Sequence, residues 1–271
     1  MFTLSFTALA RSSAGSAAFL VMSALFTASQ FTAPAAMAQS GEPLTVEADK
    51  VLEWNQTDGR YTATGNAVAV QGARTIRGDV LVASYDPDAE QQDIETITAT
   101  GNVSFKDDDT EASGGKLIYN ITAKDYRVDG PKARVSGARG TITANTTIIL
   151  ETARDETQTM TARGSAVYRD SSGRVFAGNL LVALFDAEGS LKTIDAEGAV
   201  TVTTEAGRQA SGDAATYSAL EEQATLTGNV VIIDGDSQMR GGRAEVDFKS
   251  GNSRMLSSGS GGRVSGVLVT N

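Results

Sequence analysis

Long stretches of the chain alternate apolar and polar positions, and the alternation passes through a glycine at a fixed point. The phrase reads YTATGNAVAV at 61–70, ITATGNVSFK at 97–106 and ATLTGNVVII at 224–233. Four residues before the glycine stand Tyr61, Ile97, Met160, Ile194 and Ala224; two before it stand Ala63, Ala99, Ala162, Ala196 and Leu226. Two after it come Ala67, Val103, Ala166, Val200 and Val230, and four after it Ala69, Phe105, Tyr168, Val202 and Ile232. The odd positions are mostly Thr, Asp, Glu, Asn, Ser and Arg. A period of two with one apolar side predicts a half-buried β-strand. The even spacing continues through the glycine, so the strand does too. A glycine at such a place marks a bend, a bulge or a close backbone approach.

The phrase recurs at Gly65, Gly101, Gly164, Gly198 and Gly228, at intervals of 36, 63, 34 and 30 residues. The long interval is divided by Gly130 of YRVDGPKARV, which gives six units of roughly 30–36 residues. About 13 residues after each first glycine a second one opens another strand, as in IRGDVLVASYD (Gly78) and FAGNLLVALFD (Gly178). There the apolar positions are Leu81, Ala83 and Tyr85; Leu117, Tyr119 and Ile121; Leu181, Ala183 and Phe185; Ala215, Tyr217 and Ala219; and Ala244, Val246 and Phe248. Segments such as DDDTE, RDSSGR, TEAGRQ and DGDSQ between the halves are turn formers. Each unit therefore reads strand, turn, strand, turn, with no helix. One unit cannot bury its apolar side alone, but stacked units bury a continuous one. The pattern predicts an all-β stack, two sheets folded over a shared apolar seam with glycines at the bends. The Gly130 unit departs from it: Pro131 follows the glycine, and Lys132 and Arg134 fill two apolar positions. Proline is excluded from central paired strands, so a seam or bulge is expected there, with a lobe boundary near residue 150.

Composition changes the picture at the N-terminus. Residues 1–38 hold one charged residue, Arg11, an apolar stretch around Ala17–Phe26, and Ala36-Met37-Ala38, an A-x-A cleavage pattern. This reads as a secretory signal peptide cleaved near Ala38-Gln39, since the apolar run is short of a membrane span. The expected organisation is a signal peptide at 1–38, a first β stretch at 39–150, a second at 151–255 continuing the same stack, and a Gly/Ser-rich tail at 256–271.

Charge and residue types narrow the chemistry. A formal net charge of −10 argues against nucleic-acid partners. The chain has no Cys and no His, which removes thiol nucleophiles, imidazole bases and the commonest metal ligands. The run Asp107-Asp108-Asp109 is the obvious acidic cluster, but it falls in a turn and reads as a solvated loop. DDDTE and DGDSQ lack the twelve-residue calcium-loop pattern with its closing Glu, and GSGGR at 259–263 lacks the Lys-Ser/Thr of a phosphate loop. No catalytic residue, metal site or cofactor is expected.

The order of an export signal, VEADKVLEWNQTDGRYTATGNAVAV and then a strand ending in Tyr85-Asp86 resembles the LptA/OstA-like family of periplasmic lipopolysaccharide-transport proteins. The resemblance spans about residues 43–250, as two successive stretches. It implies a β-jellyroll, a V-shaped pair of antiparallel sheets, whose members stack end to end and carry lipopolysaccharide acyl chains in an apolar groove. The groove wall would comprise Ile97, Ala99, Val103, Phe105, Leu117, Tyr119, Met160, Tyr168, Leu181, Phe185, Ile194, Val200, Val202, Val230 and Ile232. Partners implied are the lipid A acyl chains, jellyroll edges of an inner-membrane LptC-like and an outer-membrane LptD-like protein, and further copies joined head to tail. Open edges for such joining are expected at 44–54 and at 243–250 or the segment that follows. Acyl tails would supply the affinity and the anionic head group would stay in solvent. The residues alone leave a second reading open: an exported β-solenoid scaffold whose columns form a closed core.

Overall fold

The computed structural model describes residues 43–90, 93–257 and 262–269. The signal peptide and residues 259–261 of the glycine-rich segment lie outside them. Eighteen strands form one antiparallel sheet. They are β1 (Thr45–Glu47), β2 (Val51–Asn55), β3 (Arg60–Gln71), β4 (Arg74–Ser84), β5 (Thr96–Asp107) and β6 (Thr110–Asn120), then β7 (Asp125–Asp129), β8 (Ala133–Gly137), β9 (Gly140–Ala144) and β10 (Thr147–Thr152). After these come β11 (Gln158–Asp170), β12 (Val175–Phe185), β13 (Leu191–Thr203), β14 (Gln209–Ser218), β15 (Gln223–Asp234), β16 (Ser237–Asp247), β17 (Ser253–Leu256) and β18 (Ser265–Val267).

Consecutive long strands pair as a meander from β3 to β6 and from β11 to β16. At four rungs the strand is split into two half-strands: β1/β2, β7/β8, β9/β10 and β17/β18. Hydrogen bonding runs without a break through residue 150, because β10 pairs with both β7 and β11. At the far end β17 and β18 cover β16. The free edge is therefore at 253–256 and 265–267, and the 243–250 segment is interior to the sheet. Strand β18 also lies within the stretch read as a tail.

Each long strand is bent where the sequence places its glycine. Gly65 and Asn66 together oppose the single residue Asp79, with Thr64 opposite Val80 and Ala67 opposite Gly78. The same two-against-one shift recurs at Gly101-Asn102, Gly164-Ser165, Gly198-Ala199 and Gly228-Asn229. The five glycines have φ between 73° and 92°, and the residues after them 45° to 51°. Left-handed backbone excludes most side chains, and Asn is among the few that tolerate it; the T-G-N wording follows from this. The glycine is also required sterically: a Cβ on Gly101 would collide with the Asp79 carboxylate. Asp79 in turn accepts from Asn102 Nδ2 at 3.1 Å, Asp213 from Asn229 Nδ2 at 2.9 Å, and Asp49 from Asn66 Nδ2 at 2.7 Å.

The bends fold the sheet over on itself. Tyr119 pairs with Ile97, and Phe105 stands eight positions further along β5. A straight strand would put Tyr119 and Phe105 about 27 Å apart, yet their rings are 5.5 Å apart. The two halves of every strand thus form two arms joined along a spine of bulges, with a mouth on the opposite side. Side chains near the spine are small, as at Ala63, Ala67, Ala99, Ala162, Ala166 and Ala196; those near the mouth include Phe105, Tyr119, Tyr168, Phe176, Phe185 and Tyr217. The alternating columns fill a wedge.

Candidate functional site

The apolar interior between the arms is the one extended feature that the sequence builds repeatedly. Ile97, Ala99, Val103, Phe105, Leu117, Tyr119, Tyr168, Leu181, Phe185, Ile194, Val200, Val202, Val230 and Ile232 all lie in a single buried cluster, and Met160 packs against it half-buried. The structure therefore brings together every residue expected to line a groove. Over most of its length this interior is filled by its own side chains: Val200, Val202, Val230 and Ile232 are each 1% exposed.

Arginines close the mouth, and the sequence reading passed over them. Arg74, Arg174 and Arg208 each stand four residues before the second glycine of a unit, at Gly78, Gly178 and Gly212. That R-x-x-x-G spacing was the available signal. Each reaches from one arm to the other. Arg74 lies 4.7 Å from the centre of the Tyr119 ring and is paired with Asp107 at 2.8 Å. Arg174 donates to Tyr217 Oη at 2.9 Å, lies 5.7 Å from the Phe248 ring, and is paired with Asp170 at 2.5 Å. Arg208 is paired with Asp234 at 2.7 Å and donates across the mouth to the Gly251 carbonyl. Guanidinium stacked on aromatic faces is favourable, so these contacts act as clasps. Arg74 is consequently no free surface charge.

Electrostatics follow from this packing. Burial pushes the Asp170 carboxyl up, but hydrogen bonds from Arg174 and Ser172 and the Arg174 charge outweigh it and hold the group below the ordinary aspartate range. Burial pushes the Tyr168 hydroxyl up to about 12; that hydroxyl donates to the Arg139 carbonyl at 3.0 Å. Asp107 is engaged by Arg74. Among the described residues no group of three or more acidic side chains is placed to hold a metal ion.

The interior is open in the middle of the stack and at its N-terminal edge. In the middle of the stack a cavity of about 420 Å³ lies between the arms from β5 to β12. Phe105, Tyr119, Met160, Tyr168 and Phe185 of the expected wall reach it, together with Tyr126, Val135, Ile142 and Leu150. It sits at the Gly130 unit, where three residues, Gly130, Pro131 and Lys132, stand between β7 and β8 in place of the usual two. At the N-terminal edge the column ends in Leu52 and Trp54, opposite Ala63 and Tyr61, and these are 61% and 51% exposed. Trp54 stacks on Tyr61 at 5.4 Å and donates to Tyr85 Oη at 2.8 Å.

Comparison with known proteins adds a family. The model of the LptA/(LptD N-terminal domain) LPS transport protein family matches residues 45–154 and again 141–252. The LPS-assembly proteins LptD of Yersinia pseudotuberculosis and Yersinia enterocolitica are 31% identical over 99 residues, a stretch that covers 36% of this chain and 12% of either relative. The solved structure of LptH, the LptA-homologous periplasmic component of the lipopolysaccharide transport device from Pseudomonas aeruginosa, matches with 12% identity and a TM-score of 0.21, over 84% of this chain and 96% of that one.

Proposed function

This chain belongs to the LptA/LptD N-terminal family of lipopolysaccharide transport proteins, and from that membership we propose that it is a non-catalytic carrier that shields lipid A acyl chains between its two arms. The observation that carries the reading is the continuous apolar interior, from Ala63 to Val246 in one cluster. Hydrocarbon burial contributes about 0.8 kcal/mol per methylene, so a few chains supply ample affinity without a charged cradle. The protein works in the periplasm after cleavage near Ala38-Gln39. It bridges toward the outer membrane by edge-to-edge stacking with LptC-like and LptD-like jellyrolls and with its own copies. The exposed Leu52 and Trp54 at one end, and the half-strands β17 and β18 at the other, offer unpaired ladder edges for that stacking. The two family matches read as two modules run together in one chain.

Photocrosslinking from positions 105 and 202 in cells tests the carrier reading: both should capture lipopolysaccharide. A closed scaffold is favoured by the sealed interior around Val200 and Val230; it predicts capture from neither. Light scattering against concentration tests the stacking, and a strictly monomeric species at high concentration would count against it.

A further inference from the structure

The central cavity differs from the rest of the mouth in its electrostatics as well as its width. Arg139, in the β8–β9 turn, lies over the Phe185 ring at 4.6 Å and packs against Gly189 across the mouth. It occupies the place of a clasp, yet among the described residues no carboxylate pairs with it, whereas Arg74, Arg174 and Arg208 hold Asp107, Asp170 and Asp234. Lys124, on the facing lip, is also exposed and without an ion pair among the described residues. Asp108 and Asp109 close the β5 end of the cavity, so the positive side is at Arg139 and Lys124. Inside, the Tyr119 hydroxyl is buried with no hydrogen-bond partner. An orphaned buried hydroxyl costs free energy unless something meets it.

We infer that this cavity is a discrete site for an anionic amphiphile, with one hydrocarbon chain laid against Ile142, Leu150 and Phe185 and the head group held by Arg139 and Lys124. Tyr119 donates to a polar atom of the ligand just below the head. The volume of about 420 Å³ falls within the range of small-molecule sites. The inference deepens the carrier reading and rests on it for the physiological source of the ligand. It departs from the expectation that the head group stays in solvent: at this one place the head has a partner.

The test titrates the mature chain with dansylaminoundecanoic acid and with its neutral methyl ester, following dansyl fluorescence. Both should bind, the acid more tightly. Arg139→Gln should weaken the acid about tenfold, as loss of a charge-assisted contact does, and leave the ester unchanged. Arg208→Gln, in the clasp at the far end of the stack, should change neither. Gln158→Trp, half-exposed at the lip two residues before Met160, should block both probes while the circular-dichroism melt stays cooperative. Equal binding of acid and ester, an effect of Arg139→Gln on both alike, or full binding to Gln158→Trp would overturn the site. Loss of this site with crosslinking from position 202 intact would leave the carrier reading standing. Probe binding as expected with no lipopolysaccharide captured anywhere would do the reverse.

Discussion

The β13–β16 rungs and the β6–β12 middle use the same bent strand and end up with different interiors. In β13 and β15 two residues oppose one at the bend, Tyr217 meets Phe248 at 5.3 Å, and the mouth is clasped by Arg208 ion-paired with Asp234. In the middle the bend holds three residues, a cavity separates the arms, and the clasp arginine lacks a counter-ion among the described residues. The cavity falls where Gly130, Pro131 and Lys132 separate two half-strands at the spine and charged residues interrupt the apolar columns.

That contrast can be broken in graded ways. The largest effect belongs to a buried charge. Val202→Asp, in a sealed rung, should cost at least about 4 kcal/mol, whereas Leu150→Asp, beside the cavity where water can reach, should cost roughly half that; urea unfolding midpoints compare them. Next, Gly101→Ala forces a side chain into left-handed backbone and against Asp79, for about 2–4 kcal/mol, while Gly235→Ala meets open space and should cost only about 1–2 kcal/mol for its φ of 56°. Equal costs would mean the Asp79 contact does not constrain the bend.

A smaller effect separates the two kinds of clasp. Asp170→Asn should lower stability by about 1–2 kcal/mol at neutral pH, because it removes charged hydrogen bonds to Arg174, whereas Arg139→Gln should stay within about 0.5 kcal/mol. The Asp170 carboxyl is held below its ordinary range in the folded state. Its contribution is therefore complete above the unfolded aspartate pKa of about 4 and is lost as pH falls through the lower folded value. Melting curves of wild type and Asp170→Asn should converge in acid; a gap that persists there would assign the loss to packing. The smallest effect is a gain: Ala199 has φ 51° where sister bends carry Asn, so Ala199→Asn should stabilise by about 0.5–1 kcal/mol.

The sequence carried the strands and the inward side chains well, for a physical reason. A strand with one buried side must alternate, and Ile97, Ala99, Val103 and Phe105 are all at most 4% exposed. The Gly130-Pro131 irregularity was visible as well, because proline and charge break the columns. Less legible was the meaning of the alanines. In the folded sheet Ala63, Ala99 and Ala162 sit where the arms converge, and small side chains there are what let the wedge close. The clasps were hidden for a similar reason. Arg74 and Tyr119 are 45 positions apart in sequence, and only folding at the spine brings the guanidinium over the ring. Side-chain periodicity records which way a residue points within its strand, and it is silent about which strand end comes back to meet it.

The split rungs have a consequence for assembly. Half-strands occur at β1/β2, at β17/β18, and again in the interior at β7/β8 and β9/β10. The interior of the chain thus repeats, in covalent form, the pattern of its two ends. A joint between separate copies would be built from the same parts: half-strands facing each other, a loosened spine and a local parting of the lips. The fourteen rungs, at about 4.8 Å each, make a ladder with a contour of about 60 Å. Cross-section stays constant as rungs are added, so distance spanned is counted in hairpins.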